Sequence, residues 1–135
     1  MQIVFATNNL HKLKEVQALI PDNIRLLSLS DIGCIEDIPE TQNTIEGNAI
    51  QKAAYIKEKY GYDCFADDTG LEVEALHGEP GVFSARYAGE QRSALDNMNK
   101  LLNELGNSKN RIAQFKTVIA LQFNNNQHTF TGICK

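Results

Sequence analysis

The chain has no tryptophan and only two methionines, three prolines and three cysteines among its 135 residues. Cys34, Cys64 and Cys134 are odd in number and lack metal-ligand spacing, and His11, His77 and His128 are equally scattered. This pattern argues against a zinc centre and a disulfide framework, and fits buried or incidental thiols in a reducing compartment. Long apolar runs are missing as well. No segment approaches the ~20 residues needed to span a bilayer. Met1–Ala6 is apolar but has no basic flank, so it is expected to be a first strand, not a signal peptide. A basic excess is also absent. The formal net charge is −4, which disfavours a surface that coats nucleic acid. A soluble, cytoplasmic protein with neither a membrane nor a nucleic-acid partner is the expectation.

What is present suits a single domain over residues 1–135. Hydrophobic residues make up 42% of the chain, enough for an ordinary core. Residues 2–7 are expected to form a strand. A helix follows to about Ile20, with Leu13, Val16 and Ile20 at helical spacing and Pro21-Asp22 as its stop. Residues 24–29 suggest a second strand and 31–43 an acidic loop. A longer helix runs from Thr44 to Tyr60, with Ile45, Ala49, Ala53, Ile56 and Tyr60 on one stripe and Gly61 as its end. A strand over 63–66, an acidic tip and a strand over 71–76 come next. A loop from His77 to Gly89 and a third helix, Ser93–Leu105, follow. Strands Ala113–Phe123 and His128–Ile133 around Asn124–Gln127 predict a hairpin.

The most informative stretch is Phe65-Ala66-Asp67-Asp68-Thr69-Gly70. An apolar run leads into two adjacent carboxylates at the expected end of a buried strand, followed by a Thr-Gly turn. Open α/β sheets place their chemistry at such ends. Two neighbouring acids can hold a divalent cation or share a proton, and burying them without a cation is costly. The alternative is a polar turn whose aspartates cap local N–H groups. Thr7-Asn8-Asn9-Leu10-His11-Lys12, between the first strand and first helix, is either an ordinary N-cap with a solvated lysine or a phosphate-binding helix start. It lacks the Gly-rich P-loop pattern. Asn48 and Lys52, four apart on the second helix, belong either to a solvated polar face or to a site where Lys52 points at a phosphate, and Glu40 in its loop reads by itself as a surface acid. Gly78–Gly89 forms a shaped loop in which Arg86 binds either a phosphate or a structural acid.

These segments resemble the inosine triphosphate pyrophosphatase (ITPase) family. The resemblance runs through IVFATNNLHKLKEV, ETQNTIEGNAIQKA, the long and specific FADDTGLEVEALHGEPGVFSARYAG, and the final strand pair. It implies an elongated mixed α/β sheet with flanking helices, arranged in two lobes with a nucleotide in the cleft. It implies hydrolysis of the non-standard purine nucleoside triphosphates ITP, dITP and XTP to the monophosphate and pyrophosphate, with Mg²⁺, by a homodimer. On this resemblance Thr7, Asn8, Asn9, Leu10, His11 and Lys12 form the phosphate-binding loop. Thr69 and Lys52 contact substrate, Glu40 and Asp68 hold the metal, and Asp68 is also the general base, with Asp67 in support. Family members continue through a Gly-Phe-Gly-Tyr-Asp-Pro loop and a late Ser-His-Arg segment that this chain does not contain. The C-terminal, base-recognising part is therefore expected to be missing and the chain weakly active or inactive. A Maf-like nucleotide pyrophosphatase and a non-catalytic nucleotide-binding fragment are the alternatives.

Overall fold

The computed structural model describes residues 1–89 and 93–135, with the Arg86 side chain outside that set. Strand β1 (Gln2–Phe5) leads into helix α1 (Leu10–Leu19). The helix begins at Asn9, whose side chain accepts the Lys12 N–H at 3.1 Å, and it ends before Pro21, which cannot extend it. Strand β2 (Arg25–Leu27) follows. Helix α2 (Ile45–Tyr60) is capped by Thr44, which accepts from the Gly47 N–H at 2.8 Å, and it closes on Gly61 in the left-handed region at φ 78°. Strand β3 (Cys64–Val73), the short β4 (Pro80–Gly81), helix α3 (Ala94–Leu105), β5 (Ala113–Phe123) and β6 (Asn126–Cys134) complete the order.

The strands form one mixed sheet in the order β2-β1-β3-β5-β6, with β4 paired beside β3. β1 runs parallel to β2 and β3, while β5 is antiparallel to both of its neighbours, β3 and β6. Side chains alternate between the two faces, and each face has its own helix. Val4, Cys64, Ala66, Val118 and Ala120 pack against Ile45, Ala49, Ala53 and Ile56 of α2, all buried. Ile3, Phe5 and Leu26 pack on the other face with Leu13 and Val16 of α1 and with Phe65. Phe5 and Phe65 stack there with ring centroids 4.4 Å apart. Beyond β5 the cover stops: every residue of β6 is exposed.

Two expectations change. The acidic residues are not on a strand-end turn. β3 is continuous, and Asp67, Asp68 and Thr69 stand opposite Ile119, Val118 and Thr117 of β5 in unbroken register. Gly70 serves close packing, not a turn. A Cβ there would lie 2.3 Å from the Gly81 carbonyl oxygen and 2.6 Å from Ile45 Cδ1. The strand expected over 71–76 ends at Val73, and Glu74–Leu76 forms a 3₁₀ turn. In the hairpin, Asn124 and Asn125 hold φ of 50° and 63° as a two-residue loop, so the second strand starts earlier than expected, at Asn126.

Candidate active site

The β1–α1 junction, the segment before α2 and the middle of β3 enclose a cleft of about 900 Å³. Its lining includes Thr7, Asn8, Asn9, Lys12, Asp37, Ile38, Glu40, Lys52, Asp67, Asp68 and Thr69. Strand alternation decides how the two aspartates enter it. Asp67 follows Phe65 onto the α1 face, and its carboxylate takes the Lys12 ammonium at 2.6 Å. Asp68 follows Ala66 onto the α2 face, beside Lys52, Glu40 and Asn48. The adjacent carboxylates therefore do not form one joint pair. Each faces a lysine from the helix on its own side.

Asp68 is the electrostatically uncomfortable member. Burial pushes its pKa up to about 6, Glu40 and Asp67 push in the same direction, and Lys52 and Asn48 oppose them. Its Oδ2 is buried and, among the described residues, has no hydrogen-bond partner. An orphaned buried carboxylate oxygen is an acceptor awaiting a cation or a proton. Lys52 bridges the neighbouring groups: its ammonium lies 2.9 Å from Glu40 Oε1 and donates to the Asp67 carbonyl at 2.5 Å. Among the described residues no cluster of three or more His, Cys, Asp or Glu side chains could hold a metal. Glu40 and Asp68 supply two carboxylates. That donor set suits Mg²⁺, which is usually held by one or two carboxylates together with substrate phosphates and water.

On the opposite wall, the Thr7 hydroxyl accepts from the Asn9 N–H at 3.1 Å and Asn9 caps Lys12. The Leu10 and His11 N–H groups at the start of α1 have no intrahelical acceptor, as at any helix start. Of the expected phosphate loop, Thr7, Asn8, Asn9 and Lys12 line the cleft, whereas the Leu10 and His11 side chains are exposed and outside its lining. Thr69 and Thr117 share a hydroxyl–hydroxyl hydrogen bond at 2.8 Å. Thr117 escapes sequence reading, because only the β3–β5 register reveals it. Asp37 and Ile38 escaped it too, although they belong to the acidic segment that carries Glu40. The Arg86 side chain lies outside the described residues.

The model of the Ham1 family matches residues 3–135. The chain belongs to the Ham1 family. A dITP/XTP pyrophosphatase of Flavobacterium psychrophilum is 70% identical over the whole chain, which covers 71% of that protein. One from Porphyromonas gingivalis is 51% identical over 97% of the chain and 68% of its own length. Among solved structures, the Staphylococcus aureus Ham1 protein superposes with a TM-score of 0.91 at 40% identity, covering 98% of this chain and 69% of that one. A Ham1 protein from Coxiella burnetii gives 0.91 at 36% identity, with 98% and 70% coverage. The mixed α/β fold is the one the motifs implied. A match over nearly the whole chain leaves the Maf-like alternative without support.

Proposed function

We propose that this Ham1-family chain is a single-domain hydrolase of non-standard purine nucleoside triphosphates. It would cleave dITP, XTP and ITP between the α and β phosphates, giving the monophosphate and pyrophosphate. The observation that carries the reading is the buried, unpartnered Asp68 oxygen in a cleft whose far wall is a helix start bearing Lys12. The names of its relatives as dITP/XTP pyrophosphatases support the same substrates.

Thr7, Asn8, Asn9, Lys12 and the first N–H groups of α1 bind the polyphosphate. Asp68 accepts a proton from the attacking water. A carboxyl near pKa 6 is mostly ionised at neutral pH and still basic enough to take it. The water oxygen bonds to phosphorus as the bridging phosphorus–oxygen bond breaks. The electron pair of that bond stays on the pyrophosphate, where Lys12 and the α1 N–H groups face the new charge. Asp68 then releases its proton to solvent. Mg²⁺, held by Glu40 and Asp68, would neutralise phosphate charge and polarise the reacting centre. Lys52 neutralises Glu40, and Thr69, fixed by Thr117, is placed to donate to substrate.

A homodimer in the cytoplasm completes the reading. Pyrophosphate release from dITP, XTP, ITP and GTP, with and without Mg²⁺, tests the function. Weak, Mg²⁺-dependent release of pyrophosphate is expected. Turnover that persists in chelator overturns it.

A further inference from the structure

The segment between Gly33 and Thr44 runs antiparallel along α2, tied to it at successive levels. The Gln42 N–H donates to Asn48 Oδ1 at 2.9 Å, and Thr41 and Gln51 exchange two hydrogen bonds at 2.8 Å. Glu40 pairs with Lys52 at 2.9 Å. The outermost tie is Glu36. Its carboxylate accepts from the Tyr55 hydroxyl at 2.8 Å and the Tyr60 hydroxyl at 2.7 Å, and it pairs with the Lys59 ammonium. Three donors from the last turns of one helix converge on one carboxylate, one residue before Asp37 of the cleft lining. Burial of Glu40 alone does not require this. A single surface pair would tether the segment weakly, but a carboxylate with three donors is held in both position and direction.

We propose that Glu36 is a positioning residue for the cation site, fixing the strap that carries Asp37, Ile38 and Glu40 into the cleft. Glu40 lies four residues on from Glu36, a reach of at most ~14 Å, so an anchored Glu36 limits how far Glu40 can move from Asp68. Without the anchor, Glu40 keeps Lys52 and the Thr41–Gln51 tie on its C-terminal side but loses the tie on its N-terminal side. Lys59, then the Tyr60 hydroxyl, hold the Glu36 carboxyl well below the usual carboxylate range, so the anchor stays charged throughout the working pH range. The inference rests on the reading of Glu40 and Asp68 as cation ligands.

Glu36→Gln and the double variant Tyr55→Phe/Tyr60→Phe test it, with Mn²⁺ as the probe and binding read by electron paramagnetic resonance. Asp63→Asn is the control, because Asp63 pairs with Lys57 of α2 at 3.1 Å away from the strap. Loss of an outer partner of a metal site typically weakens the metal by 10–100-fold. The anchor variants are expected to weaken Mn²⁺ by roughly 10-fold, the low end of that range. Amide exchange at Thr41 and Gln42 should quicken, while kcat at saturating Mg²⁺ is retained. The control should keep its Mn²⁺ affinity whatever it loses in unfolding midpoint. Unchanged Mn²⁺ affinity in Glu36→Gln, with the wild type binding normally, overturns the role of Glu36 alone. A wild type that binds no Mn²⁺ overturns the cation reading of Glu40 and the present inference with it.

Discussion

Replacing Asp68 by asparagine should abolish turnover and stabilise the fold at neutral pH. Folding raises this carboxyl from an ordinary 3.8 to about 6, so the folded state disfavours the ionised form. The sign follows from that direction. Below about pH 4 the group is protonated in both folded and unfolded chains and contributes nothing. Between pH 4 and 6 the unfolded chain gives up its proton first, and the wild type loses stability as pH rises. Above pH 6 the loss is constant. A shift of this size corresponds to ~3 kcal/mol in full. The residue retains partial solvent contact, which cuts the figure to about 1–2 kcal/mol. Asparagine keeps the shape and carries no charge, so the variant escapes the loss. Urea unfolding of both proteins at pH 4, 5, 6 and 7, in chelator, measures the difference directly. The gap between the two stabilities should widen by about 1–2 kcal/mol from pH 4 to 6 and then stay level. Added Mg²⁺ should narrow it, because only the wild type has both carboxylates to bind the ion. A gap that is flat or shrinks with rising pH would refute the assignment of Asp68 as the acid of the cleft whose burial disfavours its charge.

The remaining predictions use the same geometry. With Asp68 as the base, kcat/KM at low Mg²⁺ should rise about tenfold per pH unit below pH 6 and level off above it. The inflection should move to lower pH as Mg²⁺ rises, because cation and proton compete for one carboxylate; an inflection independent of Mg²⁺ separates the base from the metal. Lys12→Ala removes a charge-assisted contact worth about 1.5–3 kcal/mol, so KM for the triphosphate should rise roughly 10–100-fold, and the fold also loses the Lys12–Asp67 ion pair. Unaltered KM would place the phosphates elsewhere. Gly70→Ala drives a methyl group against the Gly81 carbonyl and Ile45 and should cost about 1–3 kcal/mol in urea unfolding; a neutral outcome would mean that β4 can move aside.

The helices were legible because their signals are local. Ile45, Ala49, Ala53 and Ile56 recur at helical spacing and are all buried against the sheet, and Asn9, Thr44 and Gly61 mark the ends as caps do. The acidic stretch was misread in its local structure because glycine is ambiguous. Gly70 after Asp-Asp-Thr resembles a turn, and nothing nearby in sequence reveals the Gly81 backbone pressed against it. Glu36 was invisible for a related reason. A glutamate in an acidic loop has no local signature, and its partners Tyr55, Lys59 and Tyr60 lie 19 to 24 residues away. Thr117 needed the β3–β5 register. The residue types of the site could be read from the chain, but their division between two faces could not, because a turn and a strand send adjacent side chains in different directions.

That division also gives the site its polarity. Lys12 and Lys52 face Asp37, Glu40, Asp67 and Asp68 in the cleft, two positive charges against four negative. Alternation along β3 pairs Lys12 with Asp67 on one face and leaves Lys52 to serve both Glu40 and Asp68 on the other. The excess negative charge therefore gathers on the α2 face, at the oxygen that has no partner. Had both aspartates stood on a turn, Lys12 could have approached either, and the excess would have been shared across the cleft. The continuous strand keeps the lysine at the phosphate wall and the surplus carboxylate at the opposite wall. On the proposed reading, a polyphosphate drawn to Lys12 and the α1 N–H groups would have its reactive end turned toward Asp68, and a cation would lie where the surplus lies, by Glu40 and Asp68, and not between the two neighbouring aspartates.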